Sequence, residues 1–377
     1  MKVSCSKVAL LSGVQTVLKA VSPKATIPVL SGILMETCSQ GLRLVAYDLD
    51  LGIETYIPVT IEREGAMVLP ARYLADITRR LPHTEVVLEY REDVRAVEIT
   101  SDRANFSVKT MPAEEFPALP EISAAESWSL PEGEFKTMIR KVSPAAAADD
   151  NRALMKGVYT LFERELITMV ATDSFRLAHR TMPASIPVDS GVGVIVPSKT
   201  LIEVEKNLNA DGDRQVAVSV TQRHAMFRTG STTYVTRLLE GQFPNYKQVF
   251  PQSIPARIMC DRLQLLESID RVSLLCKDEL SAIKMVYTGD EGMASGFLTI
   301  SANTPEIGEA TEDIPVSMVG HADVTVALRA RYLRDVLRVL DGNDVSLGYI
   351  SFKHPMVVKD DTDPSYTYLV MPVTSLS

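Results

Sequence analysis

Cysteine is scarce: four residues in 377 (Cys5, Cys38, Cys260 and Cys276), without a close pair or metal-ligand spacing. That excludes a disulfide-stapled secreted scaffold and a cysteine zinc site, and leads us to expect buried thiols in a reducing cytoplasm. Long apolar runs are also missing. None approaches the roughly 18–20 residues of a membrane span. The stretch 8–18 is broken by Ser12, Gln15 and Thr16 and flanked by Lys7 and Lys19, so no signal peptide is expected. Catalytic signatures are absent too. There is no Gly-x-x-x-x-Gly-Lys-Ser/Thr phosphate loop, no Gly-x-Gly-x-x-Gly turn and no Gly-x-Ser-x-Gly elbow. The five histidines (His83, His179, His224, His321, His354) are scattered and form no metal-type pair. Asp48 with Asp50, and Asp360 and Asp361 with Asp363, have the residue types to hold a divalent ion. However, Asp48 lies in a repeated pattern and reads as a turn, and the second cluster, beside Thr362 and Pro364, reads as a solvated hairpin loop. No cofactor and no metal are expected. Positive charge is in deficit, with a net charge of −9, which excludes a simple polycationic coat for nucleic acid but permits a locally basic surface.

What the chain has is repetition. Val45-Ala46-Tyr47-Asp48 returns as Val170-Ala171-Thr172-Asp173, 125 positions on. Leu69-Pro70-Ala71-Arg72-Tyr73-Leu74 returns as Val196-Pro197-Ser198-Lys199-Thr200-Leu201, and Glu115-Phe116-Pro117 as Gln242-Phe243-Pro244, both at an offset of 127. A weaker third copy is readable in Ile300-Ser301-Ala302-Asn303 and in Leu328-Arg329-Ala330-Arg331-Tyr332-Leu333, with Arg329 where Pro70 stood. The order and offset imply three units of about 125 residues, far longer than solenoid repeats, so each is read as a domain. The boundaries are set at 1–122, 123–253 and 254–377. The joins, Phe116–Pro120 and Phe250–Pro255, read as proline-rich and exposed.

Each unit has the same inner order. Leu10, Val14, Val17, Leu18 and Val21 follow helical spacing, and a second helix is predicted over Arg72–Leu81. Alternating strands follow at Glu85–Tyr90, Ala96–Thr100 and Asn105–Thr110. The later units carry predicted helices at Glu134–Val142 and Ser198–Leu208, and at Asp261–Ser273 and Arg331–Leu340. The fold class is therefore α+β, with two helices laid on antiparallel sheet in each repeat.

The helices concentrate positive charge. The six helical windows together carry +9, so the rest of this −9 chain carries −18. In the second helix of the first unit, Tyr73, Leu74, Ile77 and Leu81 form the expected apolar stripe, with Arg72, Asp76, Arg79 and Arg80 on another face. In the last helix, Leu333, Val336, Leu337 and Leu340 form the stripe, and Arg331, Arg334 and Arg338 lie opposite. Lys136, Arg140 and Lys141 add to the charge of a third helix. Helix surfaces are often rich in Lys and Arg. The alternative is that these faces jointly meet a polyanion, because phosphate contacts need charge and no base reading.

The most specific motifs are Val170-Ala171-Thr172-Asp173-Ser174-Phe175-Arg176-Leu177-Ala178, Glu240-Gly241-Gln242-Phe243-Pro244-Asn245-Tyr246 and Val370-Met371-Pro372-Val373, supported by Thr26-Ile27-Pro28-Val29-Leu30 and Leu69-Pro70-Ala71-Arg72. With them the whole chain resembles the beta subunit of bacterial DNA polymerase III, the sliding clamp. The resemblance implies three tandem clamp domains and a head-to-tail homodimer closed into a ring with helices inside. It further implies a non-catalytic processivity factor that encircles double-stranded DNA and tethers the replicative polymerase. Implied DNA contacts are Lys24, Arg72, Arg79, Arg80, Asn151, Arg152 and Lys199; helical spacing adds Arg331, Arg334 and Arg338. An implied groove for short partner peptides, from the polymerase, the clamp loader and other proteins, comprises Met155, Thr172, Arg176, Leu177, Pro244, Val249, Pro355, Met356, Leu369, Val370, Met371, Pro372 and Val373. The implied dimer interface sets Phe106 and Val108 against Leu274 and Leu275 of the partner copy; the alternative is that all four are intradomain core. Ala153 and Leu154 stand where the family pattern has adjacent tyrosines, and Ser174 and Phe175 where it has Gly-His. A phosphoesterase using Asp48 and Asp173 and a ring scaffold that binds only proteins are the competing readings.

Overall fold

The computed structural model describes every residue except 23–26, 83–84, 123–126, 189, 279–280, 290–294, 321 and 374–377, and omits the side chains of 150 and 151. Lys24, His83, His321 and the Asn151 side chain therefore lie outside the described residues.

By compactness the chain divides into two units, Met1–Gly133 with Lys206–Leu238, and Glu134–Glu205 with Leu239–Ser377. Compactness thus does not follow the repeat. The middle repeat shares its strands between two sheets, because strand edges gain by being paired.

The first unit holds a five-stranded sheet in the order Thr60–Arg63, Lys2–Ser6, Glu85–Arg91, Ala96–Ser101, Ala104–Lys109. Its second sheet has eight strands and runs from Ser127–Pro131 through Gln215–Val220, His224–Thr229 and Thr232–Arg237 to Leu51–Ile57, Gly41–Tyr47, Gly32–Cys38 and Ala66–Pro70. The seam is the antiparallel pairing of Thr232–Arg237 with Leu51–Ile57, where the Thr55 and Thr232 hydroxyls meet at 2.9 Å.

Helix α1 (Lys7–Val17) begins where Ser6 Oγ accepts from the Ala9 amide at 3.2 Å, an N-cap that satisfies a free helix donor. It buries Leu10, Gly13, Val14 and Val17, one face at 3.6 periodicity. Gly13 allows close approach to the sheet: a Cβ there would stand 2.7 Å from Ile57 Cγ2 and Leu44 Cδ1. Helix α2 (Ala71–Arg80) follows Pro70, whose ring fixes the entry φ, and buries Ala71, Leu74, Ala75 and Thr78. Tyr73, expected in the apolar stripe, is instead 63% exposed; the small side chains Ala71 and Ala75 take the inner face.

The second unit is built on one twelve-stranded antiparallel sheet. It runs from Val192–Pro197, Gly157–Phe162, Leu166–Thr172 and Arg176–Pro183 through Tyr366–Val370, Met356–Lys359, Asp344–Tyr349 and Ala256–Asp261 to Gly308–Gly320, Ser295–Thr304, Ala282–Gly289 and Thr325–Arg329. Helices α3 (Glu132–Val142) and α4 (Ser198–Asn207) belong to the middle repeat. Helix α5 (Arg262–Val272) is capped by Asp261, which accepts from the Gln264 amide at 2.7 Å. It packs against α6 (Ala330–Leu337), which buries Tyr332, Leu333, Val336 and Leu337.

The repeated motifs have matching structural roles. Val45, Tyr47 and Val68 bury Phe116 in a cluster with Val29 and Leu30 in the first unit. In the second, Val170, Leu177, Val357 and Leu369 form a cluster covered by Tyr159, Phe243, Tyr246, Phe250 and Ile254. The joins, expected to be exposed linkers, are thus straps over sheet faces: Phe116 is 8% exposed, and Phe250 is only partly so. The period-two alternation that marks a strand carries no signal for a single aromatic folding back onto a sheet.

Candidate functional site

The repeated Asp forms the same turn in both units. Asp48 Oδ1 accepts from the Asp50 and Leu51 amides at 3.0 and 2.7 Å, and Asp173 Oδ1 from the Phe175 and Arg176 amides at 2.9 and 3.0 Å. Both carboxylates close strand-to-strand turns, as the repeat suggested. Each turn passes through the left-handed region, at Leu49 (φ 78°) and Ser174 (φ 75°). The Gly expected at 174 would enter that region without a Cβ clash. No group of three or more His, Cys, Asp or Glu able to hold a metal occurs among the described residues.

Register gathers the groove candidates in the second unit. Leu177 pairs with Leu369, which pairs with Val357; Arg176 pairs with Val370, which pairs with Met356. Thr172 Oγ1 donates to the Arg176 carbonyl at 2.7 Å, and Ser174 Oγ contacts Met155 Sδ at 3.3 Å. After the strand Tyr366–Val370 the chain is pinned on both sides: the Met371 amide donates to the Phe175 carbonyl and the Val373 amide to the Ala327 carbonyl, each at 2.8 Å. Thr172, Leu177, Pro355, Met356, Leu369 and Val370 are buried, whereas Met155, Pro244, Val249, Met371, Pro372 and Val373 keep exposed surface.

Arg176 is a buried structural cation. It donates to Asp173 at 3.1 Å and to the Tyr368 hydroxyl at 3.3 Å, pairs with Asp335, and lies over the Tyr332 ring. Burial alone would lower its pKa, but Tyr368, Asp335 and Asp173 more than offset that and raise it. Arg152 donates to the Asp173 carbonyl and lies over Phe175, so the structure puts it with the groove residues. Sequence reasoning singled out Phe175 but missed two neighbours here, Arg329 and Tyr332, joined to Phe175 and Arg176 by cation–π contacts. Aromatic and arginine residues far apart in sequence give no periodic signal.

The basic faces are present, with two revisions. Arg72, Arg79 and Arg80 on α2 and Lys199 on α4 are exposed. Arg79 and Arg80 reach Asp76 at 3.3 and 3.2 Å. On α6 and the residue after it, Arg331 approaches Asp335 at 3.9 Å, and Arg334 and Arg338 each approach Asp270 at 3.6 Å. Such surface pairs contribute about 0–1 kcal/mol, so a phosphate can displace the carboxylates. Lys7 and Lys141, counted in the basic windows, are buried. Lys7 donates to the Leu81 carbonyl, and Lys141, 1% exposed, sits between Asp341 (2.9 Å) and Asp363 (2.7 Å).

The hairpin loop expected at 360–363 joins two antiparallel strands, Met356–Lys359 and Tyr366–Val370, and Asp361 and Thr362 are exposed, but Asp360 and Asp363 are not the solvated carboxylates expected. Asp360 is 2% exposed and accepts from the Gly342 and Thr362 amides at 2.7 and 2.8 Å. Asp363 also accepts from Arg180 Nε at 3.2 Å, and the Tyr366 hydroxyl donates to the Lys141 carbonyl at 2.9 Å. Burial pushes the Asp363 carboxyl up, but hydrogen bonds from Lys141 and Ser365 and the Arg180 charge bring it below its ordinary value. Asp341 and Asp360 are lowered in the same way, against burial, by Lys141 and by Thr362 respectively.

Of the four interface candidates, Leu274 is 78% and Phe106 38% exposed, while Val108 and Leu275 are half-buried. Phe106 lies on Ala104–Lys109, the edge strand of the five-stranded sheet. The cysteines split: burial pushes Cys5 up to about 11 and Cys260 up to about 12, but Cys38 and Cys276 are only half-buried, contrary to the expectation of four buried thiols.

Comparison with known proteins agrees along the whole chain. Residues 1–120 match the N-terminal domain of the DNA polymerase III beta subunit, 129–245 its central domain and 247–374 its C-terminal domain. The beta sliding clamp of Bacillus subtilis is 31% identical over 382 residues, covering 99% of both chains. The crystal structure of the DNA polymerase sliding clamp from the same organism superposes with a TM-score of 0.91 at 31% identity, over 100% of this chain and 99% of that one. A Pseudomonas aeruginosa sliding clamp bound to griselimycin gives a TM-score of 0.90 at 28% identity, with 100% of both chains covered.

Proposed function

The chain belongs to the family of the DNA polymerase III beta subunit, the sliding clamps of DNA replication, and from that premise we propose how this chain performs the role. Two copies close head-to-tail into a ring, each contributing three clamp domains (1–122, 123–253 and 254–377), with the helices lining the hole. The ring encircles duplex DNA in the cytoplasm and slides, because Arg and Lys contacts to phosphate carry no sequence information. The exposed arginines of α2 and α6 and Lys199 of α4 supply those contacts, with Lys24 and Asn151. Arg152 belongs with the groove in this reading.

The observation that carries the ring is the bare apolar surface left by one chain. A leucine 78% exposed and a phenylalanine on an unpaired edge strand suit an interface between copies, with Phe106 and Val108 of one meeting Leu274 and Leu275 of the other. Two identical heterologous contacts close such a ring. The groove in the second unit takes short peptides of the polymerase, the clamp loader and other DNA-processing proteins. Met155 and Met371 suit several partners, since methionine adapts its shape. The protein itself does no chemistry; tethering raises the polymerase's effective concentration at the primer end. It carries none of the nucleotide-binding motifs, so opening the ring is the work of a separate loader.

The test is primer extension on a long template by the polymerase of the same organism, with its clamp loader and ATP. Adding the chain lengthens the products made in one binding event at least several-fold. Products of unchanged length would contradict the proposal.

A further inference from the structure

One carboxylate stands between two arginines at the end of α6. Arg334 approaches Oδ1 of Asp270 on α5, and Arg338 approaches Oδ2, each at 3.6 Å. At that distance neither contact is a hydrogen bond, and charge alone holds the three groups together. Among the described residues the Asp270 carboxylate makes no other ion pair. Its own helix gives it no support either. Asp270 lies in the last turn of α5, where the helix dipole disfavours a negative charge. Asp335 is the contrast: it is committed to the buried Arg176, and Arg331 only nears it, at 3.9 Å. The same arrangement recurs on α2, where Asp76 alone meets both Arg79 and Arg80, at 3.3 and 3.2 Å. Each group of three keeps one positive charge.

Resting on the reading above, in which the α6 arginines meet phosphate, we propose that Asp270 is a built-in counter-ion that loosens the hold on DNA and so speeds sliding. Its two oxygens occupy the place between the guanidiniums that the oxygens of a phosphate would take. Every phosphate contact made by Arg334 or Arg338 therefore displaces a carboxylate already present, and every contact broken is replaced by one. Exposed pairs of this kind are weak enough to exchange. The arginines pass from one phosphate to the next without a bare charge in between.

The test compares full-length variants for binding to a short fluorescent duplex and, once loaded on a nicked circle with a clamp loader and ATP, for their diffusion along it. Asp270→Asn keeps the shape and removes the charge. It binds the duplex about fivefold more tightly at low salt, the gap closes as salt rises, and the loaded ring diffuses more slowly. Glu267→Gln makes the same charge change one turn earlier on α5, where the partner is Arg271, and tightens binding by about twofold or less. In a protein that already carries Arg334→Gln and Arg338→Gln, Asp270→Asn has no effect, because the pairs it would release are gone. If Asp270→Asn does not fold, as judged by thermal unfolding, Asp270→Ser takes its place. Equal effects of Asp270→Asn and Glu267→Gln would mean net charge alone and overturn the inference. So would a lowered thermal midpoint with unchanged DNA affinity, which would make Asp270 a strut between the helices. Equal diffusion of the two loaded rings overturns the role in sliding. If Arg334→Gln with Arg338→Gln weakens binding while Asp270→Asn changes nothing, the inference falls and the DNA reading stands. If the double arginine variant binds as tightly as the unaltered protein, both fall.

Discussion

Leu49 and Ser174 occupy the same position in two copies of one turn, and both hold left-handed backbone despite carrying a Cβ. A left-handed residue with a side chain costs roughly 1–2 kcal/mol, and a glycine there gives back part of that gain as chain entropy. Leu49 is 43% exposed, so its side chain has little packing to lose. Leu49→Gly therefore stabilises the protein by about 0.5 kcal/mol in urea unfolding, whereas the β-branched Leu49→Val destabilises it. At the other extreme stands Lys141, fully buried between two carboxylates. Removing one partner of a buried pair costs about 3–5 kcal/mol, so Asp363→Ala and Lys141→Met each lower the thermal midpoint markedly. The same carboxylates set the response to acid. Asp341, Asp360 and Asp363 titrate below the ordinary 3.8 in the folded state. Their stabilisation is present above about pH 4 and is lost as pH falls through the lower folded values. Thermal midpoints recorded from pH 6 to pH 2.5 fall below pH 4, and Asp363→Asn flattens that fall. None of this is legible in the sequence. The run 360–363 has the composition of a solvated hairpin, and its partners Gly342, Lys141 and Arg180 lie far off along the chain.

At the scale of elements the sequence is informative. The spacing of Leu10, Val14 and Val17 marks α1, and Arg72–Leu81 and Arg331–Leu340 differ from α2 and α6 by one to three residues at an end. Helix existence follows from a buried face that recurs every 3.6 residues. Which residue fills that face depends on the space available, and so Ala71 and Ala75 displace Tyr73. Phe116 and Phe250 escape a sequence reading because Phe-Pro beside acidic or polar residues looks like a linker, although each Phe covers a sheet face. The basic faces carry the prediction at this scale. Reversing Arg331, Arg334 and Arg338 to Glu leaves the fold and any protein–protein binding unchanged, because the ion pairs described for these side chains are exposed or half-exposed. The same change abolishes retention on DNA. Single Arg→Gln changes in α2 reduce the salt slope of DNA binding by about 0.9 for each phosphate left without its arginine. A triple variant that keeps its retention on DNA would show that these arginines do not hold the DNA.

For the whole molecule, the repeat legible in the sequence and the compact units of the structure divide the chain differently. The motifs repeat at about 125 residues, but the sheets run across the repeats: Leu51–Ile57 pairs with Thr232–Arg237, and Arg176–Pro183 with Tyr366–Val370. Sequence patterning records which face of a strand is buried and not which strand lies beside it. Each repeat therefore lends an edge to the next, and Ala104–Lys109 remains as an edge strand with Phe106 exposed on it. In the ring we propose, a second copy completes this edge and the closed assembly holds DNA by topology. The decisive experiment loads the protein onto a nicked circular plasmid with a clamp loader and ATP, washes at moderately high salt, and counts what remains before and after linearisation. A closed ring stays on the circle, leaves the linear form by sliding off the ends, and is lost from both once Leu274→Asp opens its interface. Equal loss of the unaltered protein from circle and linear DNA would mean ordinary electrostatic binding, which salt screens, and would contradict the ring.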